Sequence, residues 1–192
     1  DSASRGLGDV YKRQGKKLKK VSNKVNILES IDISITSDTI FGLLGPNGAG
    51  KTSLFSILAG LSKPSEGEVL YDSKIVNNLS FEKRSELGVI YLPQEPSVFR
   101  ELTVEENIKA ALEAKKIEKK EIDNKFTRIS EEFDLMGIKT QKCNSLSGGQ
   151  RRRVEIARAI ALNPKLILLD EPFAGIDPLI INEIKTLIKN LK

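Results

Sequence analysis

From Val25 onward Ile31, Ile33 and Ile35 fall on one face and Asp32 and Ser34 on the other, the period of a half-buried antiparallel strand. Ser37 and Asp38 predict a turn. Ile40-Phe41-Gly42-Leu43-Leu44 is then an apolar run, the pattern of a strand buried on both faces. A glycine-rich stretch leads into a predicted helix from Ser53 to Leu61, ended around Gly60. Pro64-Ser65-Glu66-Gly67 turns the chain into a short strand, Glu68 to Tyr71. Val89-Ile90-Tyr91-Leu92 is a further strand, stopped by Pro93.

The pattern then becomes helical. Thr103 and Glu106 stand at capping-box spacing and open a helix through about Ala114. Lys115 to Lys120 is a charged, solvated connection. A second amphipathic helix is expected from about Glu121 to Met136, with Ile122, Phe126, Ile129 and Phe133 on one stripe. Beyond Gly149 a helix runs to Leu162, Asn163-Pro164 breaks it, Leu166 to Leu169 reads as a buried strand, and a last helix spans Pro178 to Leu191. Strands alternating with helices around a helical insertion define an α/β core.

Composition adds exclusions. The 192 residues are 39% hydrophobic and 30% charged, which permits a sizeable core and suits a soluble intracellular protein. The longest apolar stretches are strand-length, far below the ~20 residues that cross a bilayer. The lone cysteine, Cys143, excludes an internal disulfide and a cysteine-cluster metal site, and reads as a small residue near a loop. There is no histidine at all, which removes Ser-His-Asp triads, His-ligated zinc and imidazole bases. Catalysis must use carboxylates, lysine, amides and backbone dipoles. The net charge of +5 is local: residues 1 to 24 carry eight basic and two acidic groups, leaving 23 and 24 elsewhere. That segment reads either as an arm for nucleic acid or anionic lipid or, for residues 1–14, as a non-native leader like a translated cloning adapter.

Gly45-Pro46-Asn47-Gly48-Ala49-Gly50-Lys51-Thr52 fits a phosphate-binding loop between strand and helix. Glycines let backbone N–H groups converge on phosphate oxygens, and the helix starting near Ser53 adds its dipole. Lys51 supplies a mobile positive charge, and the Thr52 hydroxyl can ligate Mg²⁺. Asp170 and Glu171 leave the end of a buried strand, where α/β sheets place ligands. Asp170 is placed for the Mg²⁺ shell and Glu171 for polarising an attacking water. Leu146-Ser147-Gly148-Gly149-Gln150 precedes a helix, with Ser147 as N-cap and the glycines as a second anion-seeking surface. Two such surfaces in one chain suggest a head-to-tail dimer in which each ATP lies between one subunit's loop and the other's Ser-Gly-Gly.

In that order the loop, Gln94, Ser147 to Gln150, Asp170-Glu171 and Gly175-Ile176-Asp177 resemble an ABC-transporter ATP-binding subunit over about residues 18 to 192. The resemblance implies an α/β P-loop NTPase of ABC type, with a mainly parallel core, an antiparallel β subdomain and a helical subdomain, truncated at its C-terminus. The expected layout is a leader at 1–14, core at 15–94 and 149–192, and helical subdomain at about 100–148. The resemblance implies that Gln94 watches the γ-phosphate and Mg²⁺, that Lys51, Gln94 and Glu171 serve hydrolysis, and that Ser147, Gly148, Gly149 and Gln150 touch ATP on the opposite subunit, with Asp177 at the seam. Residues 91–100, 151–159 and 170–178 are similar to the ATPases of lipopolysaccharide export, which implies a homodimer under transmembrane permease subunits. Its place would be peripheral, on the cytoplasmic face of the bacterial inner membrane, with no direct nucleic-acid partner. Val98, Phe99 and Leu102 would lie where a membrane subunit docks, or in the core, and the run Arg151-Arg152-Arg153 has a solvated helix face as its plain alternative. Two departures stand out: Ser22 falls where the family stacks an aromatic on adenine, with only Tyr11 nearby, and the family's histidine beyond the last helix is missing. A branched-chain amino acid importer subunit, a nucleic-acid-associated ABC ATPase and an inactive fragment are the rival readings.

Overall fold

The computed structural model describes residues 12–22, 25–37, 39–115 and 118–190. The leader up to Tyr11, Lys24, Asp38 of the expected turn, residues 116–117 of the charged connection and the end of the last helix at 191–192 lie outside them. The chain divides between Leu87 and Gly88 into two units.

In the first unit β1 (Lys12–Ser22) pairs antiparallel with β2 (Val25–Thr36) on one side and β3 (Glu66–Tyr71) on the other, and β4 (Lys74–Ile75) completes the order β2-β1-β3-β4. The β2 alternation is present, with Ile31, Ile33 and Ile35 half-buried. Lys12, Arg13 and Gln14 pair with Thr36, Ile35 and Ser34 as residues of β1. This lysine-rich strand buries Arg13 and Gly15, then changes register at a bulge where Lys17 has φ of 47°, and Leu18 resumes the buried face. The first unit also holds α1 (Lys51–Ala59) and α2 (Phe81–Glu86). Leu54, Ile57 and Leu58 of α1 are buried, as are Leu18, Leu28 and Val69 of the sheet.

One expectation fails here. Ile40 to Leu44 forms no strand; Ile40 and Phe41 are about half exposed and Leu44 is 95% exposed. A strand is defined by its ladder, and no described strand pairs with this segment, so its apolar character alone does not order it.

Arg84 of α2 is wholly buried without a carboxylate partner among the described residues. Its Nη1 donates to the carbonyls of Ile57 and Leu58 at 2.7 and 3.0 Å, Nη2 to Val76 at 2.8 Å and Nε to Leu79 at 3.2 Å. Ile57 and Leu58 are among the last carbonyls of α1, so the guanidinium closes the negative end of that helix.

In the second unit β5 (Val89–Leu92) and β6 (Leu166–Leu169) pair in parallel, Val89 opposite Leu166 through Leu92 opposite Leu169. Only Leu168 of β6 is fully buried; its neighbours are half-buried, so β6 is less enclosed than its sequence suggests. Helices α3 (Val104–Glu113), α4 (Lys119–Glu132), α5 (Gly148–Ala161) and α6 (Pro178–Asn190) share one core with this sheet. The α4 stripe Ile122, Phe126, Ile129 and Phe133 is buried in that core. Helix α4 nevertheless ends at Glu132, four residues before Met136, because Asp134 turns left-handed at φ 51° and the Leu135 amide bonds back to Ser130 at 2.7 Å. The Thr103–Glu106 capping box on α3 is present in both directions.

Candidate functional site

The glycine-rich loop, Gly45 to Thr52, lies in the first unit. Gly45 through Ala49 are exposed, and Gly48 and Gly50 have φ of 81° and 85°. Gly50 is the N-cap of α1 yet offers no side-chain cap, so the unpaired N–H groups of the first turn, at Lys51, Thr52 and Ser53, face the loop without an internal acceptor for an anion to displace. A Cβ on Gly50 would lie 2.7 Å from Leu28 Cδ2 and 2.8 Å from the Ile27 carbonyl, so this position is closed to any side chain by both space and backbone. Lys51 folds back, its Nζ donating to the carbonyls of Gly45 and Pro46 at 2.8 and 2.9 Å. No carboxylate neutralises Lys51 among the described residues, which leaves its charge for phosphate.

The second unit holds the other expected residues. Gln94, Gly148, Arg151, Arg152, Glu171 and Gly175 line one cavity of about 160 Å³. Glu171 is exposed and held at φ 43°, a left-handed backbone that a glutamate adopts only at a cost of about 1–3 kcal/mol. Asp170, one residue earlier, is 2% exposed, and its amide extends the β5–β6 ladder by donating to the Leu92 carbonyl at 3.0 Å. The Tyr91 hydroxyl donates to Asp170 Oδ2 at 3.1 Å. Burial first, and then the charge of Asp170, push the Tyr91 phenol up to about 12, so it stays a donor at neutral pH. No lysine or arginine pairs with Asp170 among the described residues.

That buried, unneutralised carboxylate fits a divalent cation. The described residues hold no cluster of three His, Cys, Asp or Glu that would form an all-protein metal cage. The Asp170 carboxylate and the Gln94 amide oxygen of this unit, like the Thr52 hydroxyl of the first unit, are hard oxygen donors, the chemistry that suits Mg²⁺ bound with substrate phosphates.

Helix α5 starts differently from α1. Ser147 Oγ accepts from the Gln150 amide at 3.2 Å, and Gln150 Oε1 accepts from the Ser147 amide at 2.9 Å, a full capping box. Gln150 is thus engaged within its own helix start. Gly148 is exposed, whereas Gly149 is buried, and a Cβ there would lie 2.7 Å from Ile180 Cγ2 of α6. The Asp177 carbonyl accepts from the amides of Ile180 and Ile181 as α6 begins.

The arginine run departs from a solvated face. Arg152 is buried, and its Nη1 donates to Glu155 at 2.8 Å and to the Pro93 carbonyl at 3.3 Å, its Nε to the Pro172 carbonyl at 3.2 Å. Glu155 in turn accepts from the Ser97 amide at 2.6 Å. One ion pair therefore ties the backbone beside Gln94 to the backbone beside Glu171. Val98 is buried, Leu102 half-buried and Phe99 56% exposed, with the Arg158 guanidinium 5.2 Å from its ring centre. Tyr91, Arg152 and Glu155 carry no motif of their own; the i, i+3 spacing of Arg152 and Glu155 is the available sequence signal for that pair.

A glycine-lined loop at an uncapped helix start, with a strand-end Asp-Glu pair, defines a P-loop nucleotide-hydrolysing protein. The family model for ABC transporters matches residues 28–174, and the chain belongs to the ABC transporter family as an ATP-hydrolysing subunit that works with ATP and Mg²⁺. It is 45% identical over 167 residues to the lipopolysaccharide export system ATP-binding protein LptB of Haemophilus influenzae, covering 86% of this chain and 69% of the relative. It is 41% identical over 178 residues to LptB of Escherichia coli K12, covering 92% and 74%. Among solved structures it resembles the ADP conformation of an ATP-binding cassette of an ABC transporter, with a TM-score of 0.84 and 28% identity over 94% of this chain and 76% of that one. It also resembles a dimeric, post-hydrolysis ATP-binding cassette bound to ADP and phosphate, with a TM-score of 0.81 and 28% identity over 93% and 82%.

Proposed function

We propose that this chain powers lipopolysaccharide export, working as a homodimer beneath transmembrane permease subunits on the cytoplasmic face of the inner membrane. The observation that carries the reading is the identity of 41–45% to LptB proteins over 69–74% of their length. No described helix is long and apolar enough to cross a membrane, so the reading assigns the membrane path to partner subunits. The dimeric cassette bound to ADP and phosphate supports a paired arrangement, which this reading takes as head-to-tail, with Ser147 and Gly148 of one copy facing the nucleotide on the loop of the other.

In this reading the loop from Gly45 to Ser53 binds the phosphates, with Lys51 leaving its carbonyl partners to pair with them. Thr52, Gln94 and Asp170 are the residues that would hold Mg²⁺, which when bound would supply positive charge to the phosphates. Glu171 accepts a proton from the attacking water as its oxygen bonds to the γ-phosphorus and the bond to the β-γ bridging oxygen breaks, giving ADP and phosphate. Its left-handed backbone, at φ 43°, sets the direction in which the Glu171 side chain leaves the end of β6.

Glu171→Gln is expected to lower ATP turnover by roughly 10²–10⁴-fold while ATP binding persists, measured by phosphate release and by equilibrium binding. Normal turnover in that variant would remove the base role from Glu171. Co-purification with candidate permeases tests the cargo class. Assembly with a lipopolysaccharide-export permease supports the reading, and assembly only with a branched-chain amino acid permease overturns it.

A further inference from the structure

Asp170 presents a problem that its own motif does not solve. A carboxylate that is 2% exposed has lost most of its water and has no cationic side chain to offset that loss among the described residues. Its carboxylate receives one hydrogen bond among those residues, from Tyr91. The two side chains meet because β5 and β6 are parallel and in register, Tyr91 opposite Leu168, with the ladder extended by the Asp170 amide on the Leu92 carbonyl. The phenol thereby reaches across the end of the sheet to Oδ2 at 3.1 Å.

We propose that Tyr91 is a positioning residue for Mg²⁺: its hydroxyl pins Oδ2 of Asp170, fixes the plane of the carboxylate and leaves Oδ1 to the metal's shell. The proposal rests on the assignment of Asp170 to the Mg²⁺ site. Partners of metal-bound groups set ligand orientation, and losing one typically costs about 10–100-fold in metal affinity or activity. A neutral donor suits this role better than lysine or arginine would, because it orients the carboxylate without cancelling the charge that attracts the cation. Tyrosine also differs from phenylalanine here by that single hydroxyl, so the sheet packing and the metal role separate cleanly.

The test uses the full chain with a non-hydrolysable ATP analogue and Mn²⁺ as a spectroscopic replacement for Mg²⁺, read by electron paramagnetic resonance. Tyr91→Phe is expected to weaken Mn²⁺ binding roughly tenfold, with the thermal unfolding midpoint and metal-free nucleotide affinity nearly unchanged. A lowered unfolding midpoint with unaltered Mn²⁺ affinity would make the bond a sheet fastener and overturn the proposal. Asp170→Asn separates the two layers. If it too leaves Mn²⁺ bound, the metal assignment of Asp170 is wrong; if it releases Mn²⁺ while Tyr91→Phe does not, only the role of Tyr91 fails. In the unsubstituted chain, labelled with ¹³C at the tyrosine Cζ, adding Mg²⁺ to the nucleotide-bound form is expected to shift the Tyr91 signal. A signal unmoved by Mg²⁺ overturns the proposal however the variants fold.

Discussion

Helix α1 starts at Gly50, in left-handed backbone and without a side-chain cap, whereas α5 starts at Ser147, in extended backbone and closed by the reciprocal Ser147–Gln150 box. The sequence marks both as anion-seeking, and dipole arguments alone treat them alike. Their difference lies in what the first-turn N–H groups do without ligand. In α1 they await an acceptor, so an anion gains several bonds and displaces nothing. In α5 one N–H is already satisfied by Ser147, and Gly149 is spent on packing against Ile180, which leaves Gly148 as the open element. A helix start can thus be built to grip a ligand or to be stable in its absence.

The sharpest way to break the contrast is Gly50→Ala. The left-handed backbone costs a Cβ-bearing residue about 1–2 kcal/mol, and the 2.7 Å overlap with Leu28 adds overpacking strain of about 1–3 kcal/mol. Nucleotide affinity is expected to fall by roughly tenfold or more, measured by equilibrium binding. At α5 the glycines should separate. Gly149→Ala is expected to lower stability by about 1–3 kcal/mol in denaturant unfolding, through its overlap with Ile180, while Gly148→Ala, with its nearest neighbour 3.6 Å away, leaves stability within about 0.5 kcal/mol. An unchanged stability in Gly149→Ala would return Gly149 to a purely ligand-facing role.

The smallest expected effect compares two capping boxes. That of α3 closes with Glu106, whose carboxyl is held below the usual carboxylate range by the Thr103 amide first and then by the Thr103 hydroxyl, whereas that of α5 closes with Gln150, which does not titrate. Because the folded pKa of Glu106 is depressed, its contribution is whole above the ordinary carboxylate pKa near about 4.3 and fades as pH falls through the lower folded value. Glu106→Gln should therefore flatten part of the acid-side decline in unfolding midpoint, and Gln150→Glu should steepen it. An unchanged acid limb in both variants would show that neither box carries pH sensitivity.

Much of this was legible in the pattern of residues. Period-two alternation located β2, the stripe Ile122 to Phe133 located the buried face of α4, and Thr103–Glu106 located the start of α3. These signals are local, and so is the physics behind them. What failed depended on partners. The apolar run Ile40 to Leu44 carries no information about which strand it would bond to, and it stands exposed. The lysines of β1 hide a strand whose buried positions, Arg13, Gly15 and Leu18, are spaced by a bulge rather than by two. Of the candidate site, the loop, Gln94, Asp170 and Glu171 followed from motifs, but Tyr91 did not, because its partner is 79 positions away and only the parallel register brings them together. For Arg152 the sequence left a solvated face open as an alternative, because an arginine's destination is set by the carbonyls around it, here those of Pro93 and Pro172.

The buried guanidinium of Arg84 gives α1 a fixed counterweight. Under the proposed function, ATP capture and ADP release load and unload negative charge at the N-terminal end of this nine-residue helix. At the other end, the carbonyls of Ile57 and Leu58 are bonded to a cation that never titrates and cannot leave. The helix is therefore anchored electrically at its tail while its head is repeatedly charged and discharged.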